Sequence, residues 1–196
     1  MTARDPRRHP LFWVPDTEFQ RFNEWSLPKC FSFGDMDILE EHNLGDISDN
    51  YFRCGEALIK QLYRNDIEDF VAQFPIIYLF RHAFEVKLKQ IILDEALRRF
   101  GSDTSESYEK LFKDLKDTHS LHKLMNQISG LDDWVKKRLQ ELNAIDPDST
   151  ALRFGGVGTK AKDYIGTDVR FFHEAMCALR DYLTAFAAAQ PRRVAS

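Results

Sequence analysis

Apolar positions recur along most of this chain with the spacing of an α-helix. From about Asp46 onward they return every three or four residues, and short stretches rich in Gly, Pro, Ser or Asp separate the periodic segments. The predicted helices begin near Ser48 or Asp49, at Pro75, at Tyr108, at Thr118, at Leu131 and at Thr167 or Asp168, with a short helical piece over 67–74. These segments predict an all-α bundle of five to six helices.

The first 45 residues follow a different pattern. They hold seven large aromatic residues among several Pro and Gly, which is too apolar for a free tail, and Lys29–Phe33 is a candidate short strand. We therefore predict an aromatic N-terminal arm over 1–45 that packs on a helical domain over 46–190, with a C-terminal tail over 191–196.

The segment 74–93 combines an apolar surface with a narrow row of polar side chains. At about 100° per residue, five polar residues fall within roughly 100° of arc, and apolar residues cover most of the remaining surface. We call this row the polar stripe; it consists of Tyr78, Arg81, His82, Glu85 and Lys89. A helix that is apolar on nearly all sides lies inside a bundle, so the sequence predicts charges that are at least partly buried.

Composition narrows the functional class. The 196 residues carry a net charge of −4, which indicates no general affinity for nucleic acid. A local basic patch on the surface is still compatible with this net charge. No apolar run approaches the length of a membrane span, and no apolar segment follows the basic N-terminus as in a secretory signal. The three cysteines are far apart, which fits free thiols in a reducing compartment. We therefore expect a cytoplasmic protein without a membrane anchor.

The polar stripe is the strongest candidate for chemistry. Arg81–Glu85 and Glu85–Lys89 are neighbours at i,i+4, and His82 lies three residues before Glu85, so Glu85 can be held by cations on both sides. His82 beside a carboxylate could exchange protons near neutral pH. The alternative is an ion-pair network that only fixes the packing of the helix. The sequence alone leaves both interpretations open.

Other motifs give weaker evidence for a functional site. His119 and His122 share a helix and could join His82 or Glu85 at a metal, but we see no Cys–His spacing that supports a zinc site, so we predict no metal and no cofactor. Arg153 could meet a phosphate, or pair with Glu85, Asp146 or Asp148. Gly155–Lys160 has the wrong order for a phosphate-binding loop, and Arg170 with His173 is best interpreted as a surface pair.

The order of these segments resembles the HEPN superfamily of small helical bundles. The resemblance rests on FPIIYLFRHAFEVKLK, then THSLHKL, then ELNAIDPDSTALRF, then a closing amphipathic helix, and it covers roughly Asp46–Ala189. It implies a compact, often dimeric bundle. Many members are metal-independent endoribonucleases of toxin–antitoxin or other bacterial defence systems, and others are non-catalytic modules that bind RNA or protein. A homodimer, RNA and an antitoxin or other protein are the partners that it implies.

This chain departs from the family's catalytic motif, in which an Arg is followed after four to six residues by a His on one helix. Positions 86–88 are Val, Lys and Leu, and Arg170 and His173 are too close. Arg4 and His9 have the required spacing but lie in the first ten residues, which we predict to be frayed and outside the helical domain. If the chain is a ribonuclease, we predict a rearranged site. Its candidate catalytic residues are Arg81, His82, Glu85 and His119, and its substrate-binding residues are Lys89 and Arg153. The alternative is a non-catalytic protein-interaction or RNA-binding module, whose stripe is structural and satisfied internally, with His82 and Glu85 covered by the last helix.

Overall fold

The described part of the chain is entirely helical. The computed structural model describes residues 41–100, 105–154 and 166–189, and within them there are six α-helices, a short 3-10 helix and no strand. This confirms the predicted all-α class. The α-helices are α1 (Glu41–Tyr63), α2 (Asp69–Phe100), α3 (Glu106–Lys116), α4 (Leu121–Met125), α5 (Asp133–Ile145) and α6 (Val169–Ala189), and the 3-10 helix is Leu152–Phe154.

Helix α2 is the central element of the bundle. It contacts α1, α3, α4, α6 and the 3-10 helix, and most of its middle is buried on every side. Apolar side chains such as Phe80, Phe84, Leu88 and Ile91 are almost completely covered, which provides the main hydrophobic contribution to folding. The predicted position of this helix inside the bundle is therefore confirmed, and the polar stripe runs through the interior.

Pro75 does not begin a helix, contrary to the prediction. Helix α2 starts at Asp69 and runs through Pro75 without interruption, so the piece over 67–74 and the following helix are largely one element. Proline removes one intrahelical hydrogen bond, here the one that the Val71 carbonyl would accept. Val71 and Pro75 are both exposed, so water can satisfy that carbonyl, and the apolar burial along the remaining turns keeps the helix intact.

Two predicted helix caps are wrong. Helix α1 begins at Glu41, so Ser48 lies inside it and is buried, and its hydroxyl donates to the Ala83 carbonyl of α2 at 2.8 Å. Thr118 donates back to the Asp114 carbonyl of α3, while Ser120 caps α4. In both cases the hydroxyl donates to a backbone carbonyl instead of capping the start of a helix.

The last helix behaves as its pattern predicts. Asp168 accepts the backbone N–H of Phe171 at 2.8 Å and thus caps α6. The seam of apolar residues on α6 faces the core, with Met176, Leu179 and Leu183 buried. On α5, by contrast, the apolar Trp134 is 41% exposed, and it makes an edge-to-face contact with Tyr182 of α6.

Several predictions lie outside the described residues. These are residues 1–40 of the aromatic arm predicted over 1–45, including the candidate strand Lys29–Phe33, together with Gly155–Lys160 and the tail over 191–196. Residues 41–45 of the predicted arm belong to α1. Across the described helices, none is both long enough and apolar enough to cross a membrane.

Candidate functional site

Arg81 is buried completely and joins three parts of the bundle. Its Nη1 donates to Glu85 Oε2 at 2.9 Å, on the next turn of α2. Its Nη2 donates to the backbone carbonyl of His119, before α4, at 2.7 Å, and its Nε donates to the backbone carbonyl of Asp146, after α5, at 2.8 Å. All three guanidinium nitrogens therefore have protein acceptors, which is what a buried arginine requires.

Glu85 is the common acceptor of this network. Its side chain is 1% exposed, and its second oxygen, Oε1, accepts from Lys89 Nζ at 3.0 Å and from His119 Nδ1 at 2.9 Å. Burial alone would raise the pKa of Glu85, but the charge of Lys89 and the hydrogen bonds from His119, Lys89 and Arg81 outweigh it and hold this pKa below its ordinary value. Glu85 is therefore a carboxylate, with cations on both sides as the sequence predicts.

Asp146 is a member of the network that the sequence analysis did not select as a site residue. Besides receiving Arg81 on its carbonyl, it accepts the backbone N–H groups of Thr150 and Ala151 on Oδ1, at 2.8 and 2.9 Å. Its other carboxylate oxygen, Oδ2, lies 4.0 Å from Arg81 Nε. The sequence signal was the turn 146–149, in which an Asp side chain bonds to the backbone that follows it. Asp146 thus fixes the turn against which Arg81 docks.

His119 is the one member of the network with a large exposed fraction, 48% of its side chain. Because Glu85 is a carboxylate, the His119 Nδ1 must carry the proton and donate it to Oε1. In the neutral ring, Nε2 is then the proton acceptor. Glu85 therefore orients one of the candidate catalytic histidines, His119, which lies in the segment before α4.

His82 lies on the same helix but is not bonded to Glu85. Its ring packs against the edge of Tyr51 on α1, with centroids 4.4 Å apart, and stacks on Tyr78 at 5.8 Å. Its Nδ1 is buried and has no hydrogen-bond partner. Burial lowers the pKa of His82, against the opposing effect of the Glu85 charge. His82 therefore lies between Tyr51 of α1 and Tyr78 of its own helix, with one buried ring nitrogen unbonded.

Arg153 does not join Arg81. It is exposed and donates through Nε to the Ser149 carbonyl at 2.7 Å, across the turn that follows α5. None of the three acidic partners considered for it, Glu85, Asp146 and Asp148, takes this bond. Burial raises the pKa of Tyr78 on α2, and the positive charge of Arg153 partly opposes that rise. The 3-10 helix that carries Arg153 packs on α2, the helix of the stripe.

A second cluster of reactive side chains lies between α1 and α6. His173 Nε2 and Cys177 Sγ lie 3.7 and 3.9 Å from Glu56 Oε1. His173 Nε2 is buried without a hydrogen bond, and burial, with the Glu56 charge, raises the pKa of the Cys177 thiol. Arg170, the predicted partner of His173, bonds Glu174 instead. The missed signal was His173 and Cys177 at i,i+4 on one helix face.

Comparison with known proteins identifies no relative. No family model, no curated protein and no solved structure matches this chain.

The predicted site residues differ in whether they present an exposed polar group to a ligand. Arg81 and Glu85 are buried and already bonded, so neither has a free polar group to offer a ligand. Lys89 is 13% exposed and is held by Glu85. His119 and Arg153 present exposed polar groups. The chemistry open to these two side chains is thus proton transfer at the exposed His119 ring and attraction of an anion by Arg153.

Proposed function

We propose that this chain is a non-catalytic, HEPN-like binding module, in which the buried part of the polar stripe is structural and RNA is the ligand. One observation carries the proposal: Arg81 is 0% exposed, and its three nitrogens are bonded to Glu85 and to two backbone carbonyls. An arginine used in this way cannot also neutralise a phosphate, because it would leave buried acceptors unpaired.

The exposed side of the stripe supports RNA as the ligand. Arg153 is a fixed cation whose Nε is anchored to the Ser149 carbonyl, and His119 is anchored to Glu85. A guanidinium suits phosphate because its donors lie in one plane. Tyr78 on α2 is partly exposed, and tyrosine rings provide stacking surface for unpaired bases. The net charge of −4 requires that such binding be local, on this face.

Salt dependence tests this proposal. Contact with phosphates makes the logarithm of RNA affinity fall linearly with that of salt concentration, by about 0.7 for each phosphate contacted on a single strand. We expect Arg153→Gln to weaken binding of mixed single-stranded RNA and to reduce the slope by about that amount. Arg170→Gln is the matched control, since Arg170 is 82% exposed, bonds Glu174 on α6 and loses the same charge. Equal effects of both variants, or no binding at all, would overturn the proposal.

A metal-independent endoribonuclease is the second candidate, and the His119–Glu85 bond favours it. A histidine oriented by a buried carboxylate, with its other nitrogen on the exposed side, has the arrangement of a general acid–base group. In this version Arg153, and not Arg81, would contact the phosphate. Cleavage of mixed RNA in EDTA by the unmodified chain, lost in His119→Ala but retained in His122→Ala, would establish it. The primary proposal predicts no cleavage by any of the three.

A further inference from the structure

We propose that Glu56, His173 and Cys177 form a binding site for a zinc ion that links α1 to α6. The three side chains offer a carboxylate, an imidazole and a thiol, which are the ligand types that zinc takes in proteins. His173 and Cys177 are one helical turn apart on α6, so both face Glu56 across the helix interface. This site is separate from the polar stripe and independent of the proposed function.

Cys177 Sγ can donate a weak hydrogen bond to Glu56 Oε1 at 3.9 Å, but the distance from His173 to Glu56 fits an ion better than a direct bond. The three ligand atoms lie within 4.8 Å of one another. In a tetrahedral zinc site, bonds of about 2.0–2.3 Å place the ligand atoms about 3.3–3.6 Å apart. Small side-chain movements therefore suffice to close the site. The 3.7 Å between His173 Nε2 and Glu56 Oε1, by contrast, is too long for a hydrogen bond, and that nitrogen is buried without a partner.

The neighbouring arginine lies at one carboxylate oxygen of Glu56 and leaves the other to the candidate ligands. Arg180 Nη1 lies 3.8 Å from Glu56 Oε2, whereas the His and Cys atoms approach Oε1. Arg180 is itself held away from Oε1, since it bonds Asp181 and its guanidinium lies 4.4 Å above the Phe52 ring. All three candidate ligands are partly exposed, which gives a small cation access. Three protein ligands leave a fourth position for water.

Cobalt(II) is a direct probe, because a thiolate bound to it produces charge-transfer absorption. The chain has three cysteines, so Cys30→Ser/Cys54→Ser leaves Cys177 as the only thiol. We expect this double variant to bind Co²⁺ with the thiolate band and tetrahedral d–d absorption, and Zn²⁺ to displace the Co²⁺ and abolish both. Adding Cys177→Ser should remove the thiolate band. Absence of that band in the double variant would overturn the proposal.

Measurements of Zn²⁺ affinity and of thermal stability test the same proposal even if the Cys177 variant folds poorly. In the double variant we expect Zn²⁺ to raise the Tm, since an ion that binds only the folded state stabilises it. We expect Glu56→Gln and His173→Gln each to weaken Zn²⁺ binding by more than about tenfold, and His122→Gln, a change at an exposed histidine, to leave it unchanged. Equal Zn²⁺ affinity in all these variants would assign the binding to other surface groups and refute the site.

Discussion

At the scale of single residues, the buried charges of α2 persist because each one is bonded to groups that the fold places around it. Glu85 receives three donors, and Arg81 reaches three acceptors from different segments. Removing one partner from such a pair leaves a buried charge uncompensated, whereas replacing the whole set by apolar groups can be neutral. The network therefore stabilises the fold only when all of its partners are present. Protonation of Glu85 should then lower the stability of the protein.

Glu85 should make the protein sensitive to acid. Its pKa is below 4.5 in the folded chain, so the unfolded chain binds more protons as the pH falls through this range. The stabilisation is complete above the unfolded pKa and is lost as the pH falls through the folded one. We expect the free energy of unfolding, measured by urea titration, to drop below about pH 4.5 and to drop less in Glu85→Gln. Identical acid dependence of the two proteins would contradict this.

His82 should add a second pH dependence at milder acidity. Its folded pKa is below 6.5, so the unfolded state again binds more protons, and stability is complete above about pH 6.5 and declines below it. His82→Phe keeps a ring between Tyr51 and Tyr78 and removes the unbonded Nδ1. We expect this variant to lose less stability than the unmodified chain between about pH 7 and 5. A steeper loss in the variant would refute the assignment, and His122→Phe provides the control.

At the scale of helices, periodicity predicted what is local and failed where tertiary contacts decide. The core positions of α5 and α6 follow from apolar spacing, because one face of each helix must be buried. Those of α2 follow from apolar residues on nearly all of its sides. The predictions of helix starts at Pro75 and Ser48 are wrong for two different reasons. The hydrogen bond that Pro75 lacks is missing at an exposed turn, and the Ser48 hydroxyl bonds to another helix. The local sequence pattern reveals neither fact.

In the candidate site, too, local contacts follow from the sequence and long-range contacts do not. The bonds of Glu85 to Arg81 and Lys89 follow from i,i+4 spacing. The bonds from Arg81 to the carbonyls of His119 and Asp146 span 38 and 65 residues and involve backbone atoms, which carry no sequence signature. Glu56 and Cys177 are 121 residues apart, so only the fold could bring them together.

The packing of α1 on α2 predicts opposite effects at two glycines of α1. A Cβ at Gly55 would lie 3.0 Å from the Phe80 ring, which is fully buried, whereas at Gly45 it would meet the amide end of Gln90 at 3.1 Å. Alanine favours a helix over glycine by about 1 kcal/mol. We therefore expect Gly45→Ala to be neutral or stabilising by up to about 1 kcal/mol, and Gly55→Ala to be destabilising by about 1–3 kcal/mol. Urea unfolding measures both, and a stabilising Gly55→Ala would contradict the packing.

At the scale of the whole molecule, the bundle consists of a structural interior and two surfaces with different chemistry. Near the stripe the exposed polar groups are His119, bonded to Glu85, and Arg153, on the 3-10 helix that packs on α2. Glu56, His173 and Cys177 lie where α1 meets α6. The homodimer and the antitoxin or other protein partner that the HEPN resemblance implies remain predictions. Light scattering on the purified chain tests the homodimer, with a mass of twice 22.9 kDa as the expected result and a monomer as the contradicting one.

The most direct test of the account is the stability of Arg81→Met, measured by urea unfolding alongside Arg153→Gln. If the buried network is structural, Arg81→Met loses about 3–5 kcal/mol of unfolding free energy, because Glu85 and two carbonyls lose their donor, while Arg153→Gln changes it by less than about 0.5 kcal/mol. The contradicting result is an Arg81→Met protein that is as stable as the unmodified chain but no longer binds or cleaves RNA, since Arg81 would then serve the ligand and not the fold.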